Sequence, residues 1–129
     1  MTNAYGILSR GVALAVALTP LTPAVAESQM ELNEAAGNDF TKFDKKLNEV
    51  YRELMAKISP EGQAGLRDVE KLWILFRDQE CAFETLGTAE GSIHPMVLLI
   101  CKTRLTDQRI KDLEDQLNCQ EGDLSCGGQ

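Results

Sequence analysis

One histidine, His94, is all that this 129-residue sequence offers as a neutral-pH base, and Pro95 follows it directly, which places it in a turn. A nucleophilic hydrolase needs a base set beside its nucleophile, so a Cys–His pair is not expected and the sequence does not read as an enzyme. Twenty acidic residues are spread along the polar faces and single out no carboxylate pair for cutting sugars. Cys-x-x-Cys spacing is absent as well, which argues against a zinc knuckle or a thioredoxin-type redox pair. A zinc site built from Cys81, Cys101 and His94 is disfavoured on the same ground, so neither metal nor cofactor is expected. Basic residues are in the minority, 13 against 20 acidic, for a net charge of −7. That balance disfavours nucleic acid and anionic membrane surfaces and favours a basic partner, although an acidic surface also serves simply to keep a protein soluble. No alternating run with β-branched enrichment is long enough to form a strand.

Long apolar runs are missing too. The longest near the start, Gly11 to Leu18, falls far below the ~20 residues that cross a bilayer. It follows Arg10, the only charge before Glu27, and is succeeded by Pro20, Pro23 and the small-x-small triplet Ala24-Val25-Ala26. This is the pattern of an export signal cleaved after Ala26, so residues 1–26 are expected to be removed and the product to be periplasmic or secreted, with no membrane insertion. No cysteine lies beside the cleavage site to take a lipid. Cleavage leaves one small domain of about 100 residues, long enough for a core of its own. Loss of Arg10 moves the net charge to about −8.

All four cysteines, Cys81, Cys101, Cys119 and Cys126, fall in the exported part, and an even count there points to two disulfides. Three pairings are open. Cys81–Cys101 with Cys119–Cys126 is favoured, the first closing a long loop between helices and the second stapling only the tail.

The exported part reads as helices throughout. Ser28 with Glu31 has capping-box spacing, and Leu32, Ala36, Phe40, Phe43, Leu47, Val50 and Leu54 recur at steps of four and three along one face. Asp44, Lys45, Glu49 and Arg52 fall on the wet side, and Ser59-Pro60-Glu61-Gly62 ends this helix and starts the next. The second helix is expected to run from about Pro60 to about Glu84, with Leu66, Val69, Trp73, Phe76 and Phe83 inward and Leu72 and Leu75 widening that face. After the Gly87–Ser92 connection a third helix begins near Pro95 and carries Leu98, Cys101, Leu105, Ile110, Leu113 and Leu117, with a kink or brief break expected at Thr106-Asp107. Three long helices with short connections predict an all-α fold, a small antiparallel three-helix bundle stapled by disulfides. Trp73 and the phenylalanines are then core. Val97, Leu98, Leu99 and Ile100 would form a dimer contact if exposed, but are more simply buried under the connecting loop.

Five segments carry a family resemblance: Leu32-Asn33-Glu34; Asp44 to Tyr51; Trp73-x-x-Phe76-Arg77-Asp78-x-x-Cys81; Gly91-Ser92-x-x-Pro95-Met96; and Cys101-x-x-x-Leu105-Thr106-x-x-Arg109. In that order they resemble the LprI-type lysozyme-inhibitor-like family. The Trp-to-Cys and Cys-to-Arg segments are specific, and the others are weak singly. The resemblance implies a helical domain over residues 27–118 that binds a protein partner, a basic lysozyme among the possibilities, but it carries over no inhibitory residue. Trp73, Phe76, Arg77, Asp78 and Arg109 read as structural, Arg77 and Asp78 as an ion pair. Relatives commonly carry a cysteine where this chain has Ala35, and another upstream, so its first turn is expected to be held less firmly.

Residues 119–129 form an acidic tail. Beyond Lys111 stand Asp112, Glu114, Asp115, Glu121 and Asp123 and no base, against the usual preference of a helix C-terminus for cations. A Cys119–Cys126 loop would present Glu121 and Asp123 to a basic partner, such as a lysozyme; the plainer reading is a solvated tail that protects the chain end. The alternative function is a non-inhibitory interaction or scaffold module of the envelope.

Overall fold

The computed structural model describes residues 27–120 and 122–127, and the expected export signal, residues 1–26, lies outside the described residues. Helix α1 spans Gln29–Lys57, α2 Pro60–Glu84 and α3 His94–Leu117, with a 3-10 turn at Leu86–Thr88; there is no strand among the described residues. The capping box forms: the Glu31 amide donates to Ser28 Oγ at 3.3 Å, and the Ser28 amide donates to Glu31 Oε2 at 2.7 Å. Ser59 caps α2 by accepting from the Gly62 amide, and Pro60 occupies its first turn. The break expected at Thr106-Asp107 is absent, and α3 continues through it. Thr106 is fully buried, and its hydroxyl accepts from Arg77 of α2 instead of capping a turn.

α1 and α3 lie side by side and run the same way, with α2 returning between them in the up-down-up order. Their closest packing is with each other, and α2 stands further off. Leu47, Val50, Leu54 and Ile58 of the first helix and its exit meet Ile110 and Leu113 of the third to form the core, with Phe43, Tyr51, Leu66, Trp73 and Leu117 packed around it. This is the α1 stripe read from the sequence. The Cys81–Cys101 disulfide joins the last turns of α2 to the first turns of α3. At the start of α1, Asn33 Nδ2 donates to the Ser92 carbonyl at 3.1 Å, so two of the weaker family segments touch each other.

The α2 face is where expectation and structure part. Only Leu66 and Trp73 of the expected inner set turn toward the core; Val69, Leu72, Leu75, Phe76 and Phe83 are 50–70% exposed. The buried positions of α2 are Glu70, Arg77 and Cys81, continued by Thr85 at its C-cap. The helix therefore carries two stripes. The one with the disulfide and the charge partners faces in, and the more apolar one faces out.

Candidate functional site

The inward stripe of α2 builds a polar seam with the other two helices. Arg77, only 6% exposed, donates from Nε to Asp78 Oδ1 at 3.0 Å and from Nη1 to Asp44 Oδ1 and Thr106 Oγ1, both at 3.4 Å. One side chain thus joins α1, α2 and α3. Its guanidinium also lies 5.2 Å from the Phe40 ring and 5.3 Å from the Trp73 ring, within cation–π range. One helical turn or more away, Arg109 of α3 grips Glu70 Oε2 through Nε and Nη2 at 3.0 and 2.9 Å and stands 5.8 Å from the same Trp73 ring. Lys102 reaches Asp78 at 3.2 Å. Burial pushes the Asp78 carboxyl up, but hydrogen bonds from Arg77 and Lys102 together with their charges outweigh it and hold it below the ordinary carboxylate range. Trp73, Arg77, Asp78 and Arg109 are therefore brought together, whereas Phe76 turns away from them into solvent. Every cation in this seam already has its anion, which leaves the cluster suited to holding helices in register and poorly suited to binding a charged ligand.

The tail is a separate feature. Cys119 and Cys126 are bonded. The enclosed loop is clamped onto α3 by Gln116, whose Nε2 donates to the Ser125 carbonyl at 3.2 Å and whose Oε1 accepts from the Gly127 amide at 2.7 Å. Gly122, at φ +88°, supplies the reversal that a residue with a β-carbon rarely adopts. Asp123 is exposed, and its Oδ1 accepts from the Ser125 amide at 2.9 Å and hydroxyl at 2.7 Å; the amide bond first, then the hydroxyl, hold its carboxyl below the ordinary range. Glu121 lies outside the described residues. Between Asp123 and Ser125 stands Leu124, fully exposed at the loop tip. Sequence reading passed over it, since one leucine in a polar tail has no periodicity to mark it.

A cleft of about 430 Å³ opens where the ends of the helices meet the tail, floored by Leu66, Val69 and Leu113 and rimmed by Arg109 and Gly127. Its one cation is already taken by Glu70. His94 Nδ1 is 3.1 Å from the Thr88 hydroxyl in the α2–α3 connection, all four cysteines are disulfide-bonded, and no metal-holding cluster occurs among the described residues.

Residues 22–113 match the family described as Lysozyme inhibitor LprI. The chain belongs to that family. A similar protein is an uncharacterized one from Rhizobium meliloti (strain 1021), 29% identical over 109 residues, covering 74% of this chain and 78% of the relative. No solved structure matches detectably. The LprI match takes in α1, α2 and α3 as far as Leu113, and so contains the whole polar seam and the Cys81–Cys101 bond. It ends before Cys119. The second disulfide loop of this LprI chain thus lies outside the matched stretch.

Proposed function

We propose that this protein is an exported, non-catalytic binding domain that inhibits a peptidoglycan-cleaving lysozyme, with the Cys119–Cys126 loop as its contact. The observation that carries the contact is the clamped tail: a disulfide-closed loop, fixed to α3 by Gln116, that holds Asp123 and a fully exposed Leu124 outward. A loop already held in shape loses less entropy on binding than a loose one. Acidic residues without an intervening base steer association with a basic enzyme, and an apolar tip supplies the buried anchor that an electrostatic contact lacks. Periplasmic or secreted location fits this partner, and no helix among the described residues is long and apolar enough to cross a membrane. All four cysteines are spent in disulfides, and His94, the first residue of α3 and not the turn residue expected from the sequence, is engaged by the Thr88 hydroxyl; both support binding over catalysis.

The test is lysozyme turnover of cell-wall substrate with the full, oxidised chain recovered after export, over a concentration series at low and moderate salt. Inhibition should be dose-dependent and should weaken with salt. It should be lost on Glu121→Lys with Asp123→Lys while the helical circular dichroism is unchanged. Full inhibition by that double variant would move the contact onto the helices. No inhibition of several lysozyme types by the folded chain would favour the second reading, a non-inhibitory interaction module of the envelope. The exposed apolar face of α2 speaks for that reading, because it needs a protein against it and has no use for a basic one.

A further inference from the structure

Leu72, Phe76 and Phe83 lie along the outward side of α2, half-exposed Val69 stands at the border between that side and the tail cleft, and Leu86 follows in the 3-10 turn beyond the helix. With Gln79 included, their steps are three, four, three, four and three. That is the spacing of a coiled-coil seam, on a helix whose other face is already occupied. We propose that this face is the interface of a homodimer, in which α2 packs antiparallel against α2 of a second copy.

Three observations select a second copy as the occupant. The seam is self-complementary: antiparallel pairing about its midpoint sets Leu72 against Phe83 and Phe76 against Gln79, twice over, as a two-fold interface requires. The area is adequate, since Val69, Leu72, Leu75, Phe76, Phe83 and Leu86 together expose roughly 700 Å², close to the about 800 Å² that each partner gives to a standard interface. The seam also holds no charge, with Gln79 its only polar position, so two acidic chains can meet there without opposing carboxylates. Antiparallel pairing further opposes the two helix dipoles. The inference does not rest on lysozyme binding, and of the seam positions Val69 alone also lines the cleft beside the tail.

Sedimentation of the full, exported and oxidised chain over a concentration series tests it. A reversible monomer–dimer equilibrium is expected, lost in Phe76→Asp and in the more exposed pair Leu72→Glu with Phe83→Glu, with helicity and melting retained. Ile100→Glu, an exposed apolar position on α3, should leave the dimer intact. Direction is read by cross-linking: chains with Leu72→Cys mixed with chains with Phe83→Cys should join across the interface, and Leu72→Cys chains alone should not. Joining of Leu72→Cys chains alone overturns the antiparallel arrangement. A dimer that survives both seam variants, or a monomer at every concentration, overturns the proposal. In a monomer, binding of an apolar dye would leave the face to a different protein.

Discussion

At the scale of the residue, Arg77 performs work that three separate contacts would otherwise share. Asp44 and Asp78 are each about two-fifths exposed, so each salt bridge alone is a weak source of stability. What is buried is the arginine itself, stacked near two aromatic rings and holding Thr106, which has no other route to solvent. Removing it opens a gap between three helices and leaves a buried hydroxyl short of its donor. Arg77→Ala should therefore cost about 3 kcal/mol in chemical denaturation, whereas Asp44→Asn should cost less than about 1 kcal/mol. Similar losses from both would mean that the ion pair, and not the packing, is the source. Asp78 supplies a pH dependence. Its carboxyl is held below the ordinary value in the folded chain, so the unfolded chain binds the proton first as pH falls. The stabilisation is complete above the ordinary carboxylate value, near about 4, and disappears as pH drops through the lower folded value. Melting temperature should fall along that acid limb and fall less steeply in Asp78→Asn; an unchanged limb would assign the slope to Glu31 and Asp123, whose carboxyls are lowered too.

At the scale of the element, the three helices were legible in the sequence to different depths. α1 was readable in full, because its cap and stripe are local: Ser28 and Glu31 are three residues apart, and Leu47, Val50 and Leu54 follow one periodicity. α2 was readable as a helix but not in its orientation. Two stripes compete there, and the choice rests on partners far along the chain: Asp44 for Arg77, Arg109 for Glu70 and Cys101 for Cys81. Counting apolar residues selects the wrong stripe, because the buried one contains an arginine and a glutamate that become apolar-tolerant only when paired. The Thr106 break failed for the same reason, its hydroxyl being engaged across the bundle. Of the candidate site, Trp73, Arg77, Asp78, Thr106 and Arg109 stand in the family segments, while Glu70, Lys102, Leu124 and the outward face of α2 were not singled out. Since α2 is docked through a polar seam and one disulfide, it should be the first element to leave. Replacing Cys81 and Cys101 by alanine should lower stability by about 3 kcal/mol. Amides of α2 should then exchange well ahead of those of α1 and α3. The same change at Cys119 and Cys126 should leave core exchange unaltered. Uniform loss of protection over all three helices would show that α2 is not a separable unit.

At the scale of the whole molecule, the chain presents two surfaces of opposite character: an acidic, disulfide-held loop and a charge-free apolar seam. They make opposite demands on the solvent. Association of the loop with a basic enzyme gains from long-range attraction, so added salt should slow its formation. Association of two copies through α2 works against the mutual repulsion of two acidic chains, while the apolar contact itself is little affected by screening. Added salt should therefore tighten the dimer. Between about 20 mM and about 300 mM sodium chloride, the Debye length shrinks several-fold, enough to separate the two responses. Measured on the same preparation, the apparent inhibition constant toward lysozyme should rise over that range while the dimer dissociation constant falls. Parallel movement of both constants would mean that inhibition proceeds through the dimer face, with the tail loop a bystander. Opposite movement would establish two independent surfaces, one for the target and one for a second copy.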